Sequence, residues 1–226
     1  MTVASNVRSV GTSLALDRED KPYIAFFRTS DLILARMESS NWVTDTVAVG
    51  SNGFYPSLAL DRQQRPHLSY SLGGAIWYAY RQENEWDKRV VQNVGIVNAS
   101  NSLALDRNDT PHISYYFSYS EDLKYARWNE GEADWELETV ASHGNTGFWN
   151  SLAVDGQNYP HISYYELTNG DLEYAYRDSQ GWHPQPVEQE GRTGHYNALA
   201  IDQQNRPHIS YLKEMEDGTQ MKYAYK

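Results

Sequence analysis

The stretch that decides the fold is Gly144–Trp182, GNTGFWNSLAVDGQNYPHISYYELTNGDLEYAYRDSQGW, because most of it occurs five times in the chain. The phrase SLALD stands at Ser13, Ser57 and Ser102, and returns as SLAVD at Ser151 and ALAID at Ala198. The closing aspartates are Asp17, Asp61, Asp106, Asp155 and Asp202, spaced by 44, 45, 49 and 47 residues. Five residues after each comes Pro22, Pro66, Pro111, Pro160 or Pro207. Next come YIAFF, HLSYS, HISYY, HISYY and HISYL, and then LILAR, IWYAYR, LKYAR, LEYAYR and MKYAYK. A fourth phrase opens on Trp and closes on Val: WVTDTV, WDKRVV, WELETV and WHPQPV.

Each phrase is short, rich in aromatic or β-branched residues, and bounded by Gly, Pro, Asn or Asp, which is a strand signature. No window sustains a 3.6-residue apolar period, so no substantial helix is expected. Four strands in a repeat of about 45 residues read as the blade of a β-propeller. The expected fold is all-β: one five-bladed propeller over residues 1–226, four antiparallel strands per blade. The fifth repeat stops at MKYAYK and lacks a Trp phrase, whereas TVAS at Thr2–Ser5 repeats the TVAS of Thr139–Ser142. Thr2–Ser5 is therefore expected to supply the outer strand of blade 5 and close the ring.

The recurring strand, Asp, turn, His and strand units resemble those of bacterial sialidase-like and lectin-like propellers, at the level of architecture. The sialidase Asp box, Ser-x-Asp-x-Gly-x-Thr-Trp, is absent. Blade number and repeat length also resemble five-bladed lectins.

Composition narrows the partners. The 226 residues carry a formal net charge of -11, which leaves no basic footprint for nucleic acid or an anionic membrane surface. There are no cysteines, so disulfides and thiolate metal sites are excluded. No apolar run approaches membrane-spanning length, and no signal-peptide core follows Met1, so a soluble protein is expected, its compartment open.

Residues present in every blade are explained first by what a blade needs. The five aspartates fit Asx-type turns; a calcium ring is the sharper alternative. His67, His112, His161 and His208 share one position, with Tyr23 in blade 1. Each stands in a different blade, so a hydrogen-bond partner is favoured over a shared metal. Trp42, Trp86, Trp135 and Trp182 open the outer strands and are expected to pack between blades.

Blade-to-blade differences carry the functional signal. The segments entering the inner strands read SVGTS, GFYPS, VNASNS, GFWNS and GHYNA. Three hold a ring pair after Gly: Phe54-Tyr55, Phe148-Trp149 and His195-Tyr196, the last two followed by Asn150 and Asn197. Blade 3 has Asn98 and Asn101 instead. The loops after the second strands bring Tyr116, Phe117 and Tyr119, then Tyr165 and Glu166, then Lys213 and Glu214, to the same face. Flat rings beside side-chain amides suit sugars. The leading expectation is a non-catalytic glycan-binding protein using Phe54, Tyr55, Tyr116, Phe148, Trp149, Asn150, Tyr165, Glu166, His195, Tyr196 and Asn197. The alternatives are a protein-interaction scaffold and a glycoside hydrolase, for which Glu166 and Glu214 are the carboxylates to test. No cofactor is expected. The triplets at Asn98 and Asn108 match the glycosylation pattern, a weak signal without context.

Overall fold

A computed structural model describes residues 2–50, 53–95 and 99–226. The described residues form nineteen strands and no helix, hence none long and apolar enough to cross a membrane. The strands fall into five antiparallel sheets taken in chain order, one per repeat, the blades of a five-bladed β-propeller fold. Sheet 1 comprises β1 (Val7–Leu16), β2 (Pro22–Arg28), β3 (Asp31–Glu38) and β4 (Asn41–Ala48). Sheet 2 comprises β5 (Gly53–Leu60), β6 (Pro66–Leu72), β7 (Ala75–Gln82) and β8 (Glu85–Asn93). Sheet 3 comprises β9 (Asn101–Leu105), β10 (Pro111–Phe117), β11 (Asp122–Asn129) and β12 (Asp134–Ala141). Sheet 4 comprises β13 (Thr146–Val154), β14 (Pro160–Glu166), β15 (Asp171–Asp178) and β16 (Gly181–Glu188). Sheet 5 comprises β17 (Thr193–Ile201), β18 (Pro207–Met215) and β19 (Gly218–Tyr225).

The chain divides into two compact units, Met1–Leu103 and Ala104–Lys226. In the first, Leu34, Val47, Leu58, Leu68 and Ala79 form a core between sheets 1 and 2, with Trp86 packed on it. In the second, Tyr125, Val140, Leu152, Ile162 and Ala175 repeat that core between sheets 3 and 4, with Trp182 packed on it. The Trp182 ring meets Tyr125 edge-on at 5.1 Å, the inter-blade role expected of the tryptophans. Trp135 is buried, and Trp42 packs in a smaller cluster on sheet 1.

The inner hairpins follow from the aspartates. In every repeat the Asp Oδ1 accepts the N–H groups two and four residues on, as Asp61 does from Gln63 and Arg65. The third residue after each Asp has a positive φ: Asp20, Gln64, Asp109, Asn158 and Asn205. This is the Asx-turn arrangement. In blades 2 to 5 the other oxygen, Oδ2, approaches His Nε2 at 3.3, 3.6, 3.5 and 3.2 Å. Nδ1 of the same ring meets a Tyr hydroxyl at 2.5 Å: His67 with Tyr78, His112 with Tyr125, His161 with Tyr174, and His208 with Tyr223. Blade 1 replaces His and Tyr together, with Tyr23 and Leu34. The histidines therefore join the Asp turn to the third strand of their own blade. Among the described residues, no three His, Cys, Asp or Glu gather as a metal cluster.

Thr2–Ser5 adopt no strand, and among the described residues sheet 5 has three strands. Val3 and Ala4 pack in a cluster with Ile24, Ile33 and Ala35 of sheet 1; Ile24 and Ala35 hold the repeat positions of Ile162 and Ala175, on which the outer-strand Val140 packs in sheet 4. Such burial removes them from water.

Candidate functional site

Each aromatic pair begins after a glycine that packing requires. A Cβ on Gly53 would fall 1.9 Å from the Phe27 ring, and one on Gly194 would fall 2.9 Å from Leu172. The register of the inner strand then shifts, between Phe54 and Ser57, Phe148 and Ser151, and His195 and Ala198. At the centre of each bulge a bulky residue sits in the left-handed region: Tyr55 at φ 50°, Trp149 at 45° and Tyr196 at 49°. Blade 1 has Gly11 at the same place, with φ 102°. Glycine is what this backbone prefers, and a large ring there carries conformational strain.

The rings in the second unit form one run. Tyr116 packs on Phe148 at 4.2 Å between centroids. Trp149 lies 5.3 Å from Tyr165, 4.8 Å from His195 and 5.2 Å from Tyr196. Tyr165 meets His195 edge-on at 4.5 Å. Tyr116, Tyr165 and His195 are buried and Phe148 is half-buried, so these rings support the run. Trp149 is half-buried and Tyr196 is 68% exposed, so these two rings present it to solvent. In the first unit Phe54 and Tyr55 stand 6.1 Å apart, with the Arg8 guanidinium 5.1 Å above Phe54. Phe117 and exposed Tyr119 pair separately at 5.4 Å.

The amides have a different task. Asn150 Oδ1 accepts from Ser114 at 2.6 Å while its Nδ2 donates to Gly147 O. Asn197 does the same with Ser163, at 2.5 Å, and Gly194 O. Asn101 takes Ser69 and Tyr55 O. All three are buried; each Oδ1 takes a serine hydroxyl of the preceding blade, while Nδ2 of Asn150 and of Asn197 holds a glycine carbonyl of its own strand and Nδ2 of Asn101 reaches Tyr55 O of the preceding blade. Asn98 lies outside the described residues. Glu166, also buried, accepts the N–H groups of Thr168 and Asn169 and shapes the turn after β14. These donors hold its carboxyl below the ordinary glutamate range against the opposing effect of burial.

Polar groups gather at one edge of the run. His195 Nδ1 lies 3.0 Å from Glu214 Oε1, and Arg192 lies 3.6 Å from Glu214 Oε2. Burial lowers the His195 pKa against the pull of Glu214. A neutral ring donating Nδ1–H to Glu214 leaves Nε2 as an acceptor, and that atom is buried with no hydrogen-bond partner among the described residues. Tyr165 and Glu214 raise the pKa of Arg192. Lys213 turns away to Glu188 at 2.7 Å. Arg192 lies outside the repeated phrases, so no repeat signal could single it out.

No protein-family model and no curated protein matches the chain. Solved structures are similar to it in fold. One is SapL1 lectin in complex with alpha methyl fucoside, at 11% identity and TM-score 0.73, covering 98% of this chain and 80% of that one. Another is a polysaccharide lyase, an ulvan lyase bound to a GlcA-Rha3S saccharide, at 10% identity and TM-score 0.71, covering 99% and 67%. The endo-arabinase of Bacteroides thetaiotaomicron VPI-5482 is similar at 12% identity and TM-score 0.52, covering 98% and 95%. At these identities the likeness is one of fold.

Proposed function

We propose that the chain is a lectin-like carbohydrate-binding protein whose sites are the aromatic bulges at the entry to the inner strands. The observation that carries this reading is the strained placement of Tyr55, Trp149 and Tyr196, where blade 1 has Gly11. A fold gains nothing locally from a bulky ring in the left-handed region, and such outliers motivate a hypothesis of function. The half-buried Trp149 ring and the exposed Tyr196 ring, 5.2 Å apart, offer C–H-facing surfaces for a sugar. Glu214 and Arg192 at the edge supply an acceptor and a donor for hydroxyls. That a fucoside-bound lectin is among the similar folds agrees with this reading. Repetition of the motif favours several modest sites acting together on multivalent glycans.

A glycoside hydrolase needs two available carboxylates flanking one bond. Glu166 is buried with its oxygens taken by backbone N–H groups, which leaves Glu214 alone of the two candidate carboxylates at the run's edge, so binding is the better supported role. The test is a glycan array followed by calorimetry with the best sugar. Saturable binding that Trp149→Ala weakens at least about tenfold is expected, in line with loss of a central aromatic contact. A blank array would turn the reading to a protein-binding scaffold.

A further inference from the structure

The aromatic bulges differ in what stands beside them. In sheets 4 and 5 a fully buried threonine opens the bulge and pairs opposite the end of the second strand, Thr146 with Glu166 and Thr193 with Lys213. Arg28 holds that second-strand position in sheet 1, and it pairs with Val7, one residue before the threonine position. The bulge of β1 is thus one residue longer than the other two, and the residue it gains is Arg8. A residue added to a bulge leaves the ladder, and its side chain is re-aimed. The half-buried Arg8 sets its guanidinium over the Phe54 ring, 5.1 Å from the centroid, as a cation–π contact. Gly11, in the same bulge, borders Tyr55: a Cβ there would stand 3.6 Å from Tyr55 Cα and 3.8 Å from its ring. One segment of β1 therefore sets a cation against Phe54 and a residue without a side chain against Tyr55.

That cation has no protein counter-ion. Among the described residues no carboxylate forms an ion pair with Arg8, and its one hydrogen bond is a long one, from Nη1 to Gly53 O at 3.5 Å. Its Nε–Nη2 edge, the fork that meets a carboxylate or a sulfate with two parallel bonds, has no acceptor among them. Blade 5 is the opposite case. His195, at the repeat position of Phe54, is held by Glu214, and blade 2 has Gly73 where blade 5 has Glu214. Charge divides in the same sense. Met1–Leu103 carries ten Lys and Arg with ten Asp and Glu, whereas Ala104–Lys226 carries nine with twenty. An anion therefore meets no net repulsion from the first unit, and screening leaves the nearest charge, Arg8, to decide. We infer that the blade-2 bulge, Phe54 and Tyr55 with Arg8, binds an anionic saccharide, its charge a ring carboxylate or a sulfate ester. The sugar packs on the half-buried Tyr55 ring, and its charge meets the open guanidinium edge. This rests on the reading of the bulges as sugar sites; Arg8 adds the selection for charge.

The probes are oligogalacturonate and oligoglucuronate, each beside its methyl ester, and a sulfated galactan oligosaccharide beside its desulfated form. They are immobilised and titrated with the intact chain. Expected is binding of an acid form at least about tenfold tighter than of its neutral counterpart, an advantage that shrinks as salt rises. The pair that shows it identifies the charge as carboxylate or sulfate. Arg8→Gln should abolish the advantage without changing Tm. Arg8→Lys, which keeps the charge and loses the fork, should restore part of it. Lys88→Gln, which removes the same charge from an exposed position on β8, should leave it unchanged. Equal binding of acid and neutral forms would overturn the inference and leave the sugar reading standing. So would an advantage that survives Arg8→Gln or falls equally with Lys88→Gln. Failure of every saccharide, charged and neutral, would remove both.

Discussion

A single residue shows the conflict between stability and use most clearly. Tyr196 is 68% exposed and has φ 49°, so its ring contributes little burial and its backbone is strained. Tyr196→Gly is therefore expected to stabilise the chain by about 1 kcal/mol, read from the urea midpoint, while weakening sugar binding. A destabilised variant would show that the ring is structural. Trp149 differs because its ring touches Phe148, Tyr165, His195 and Tyr196. Trp149→Ala should cost both binding and some stability, which makes Tyr196 the cleaner probe. The ring pairs were legible in the sequence because they follow Gly at one repeat position. The left-handed backbone was not, since nothing in the letters marks a bulge until the register is known. Asn150 and Asn197 read as sugar ligands for the same reason: their partners, Ser114 and Ser163, lie on another blade.

At the scale of the strand and its hairpin, the clasps and the glycines bear the weight. Asn197→Ala leaves buried Ser163 without its acceptor and removes a donor to Gly194 O. A loss of about 1–3 kcal/mol is expected in denaturant unfolding, the cost of unpairing a buried polar group. Gly53→Ala forces a Cβ into the Phe27 ring and should cost about 2–3 kcal/mol by overpacking. A neutral result in either case would mean that the inner strand re-registers freely. Strand identity and hairpin position were legible from phrases of fixed length that end in Asp and resume at Pro. Four matching letters, TVAS, put Val3 at the repeat position of Val140, and Val3 packs on sheet 1 as Val140 packs on sheet 4.

For the whole molecule, the repeated Asp, His and Tyr contacts set the response to pH. Burial lowers the pKa of His112 and His161 below the ordinary 6.5, against the opposing pull of Asp106 and Asp155. The unfolded chain then takes up protons before the folded one, so stability falls as pH drops through about 6.5. Asp106 is depressed to about 2 by His112 and the turn N–H groups, which outweigh burial. Its contribution is present above the unfolded value of 3.8 and is lost as pH falls toward 2. Urea midpoints should therefore decline from pH 7 to pH 5 and again below pH 4; a flat profile would contradict this role for the buried network. The architecture was legible because one pattern recurs five times. Function was less so, because the informative residues are those that break the pattern. The most direct test of the aromatic site uses the indole N–H signals of the seven tryptophans, with Trp149 assigned by Trp149→Phe. On titration with the best sugar from the array, the Trp149 signal should move saturably while Trp86 and Trp182, held between blades, stay fixed. A saturable shift of other indoles with Trp149 unmoved would place the binding site elsewhere and contradict the proposed function.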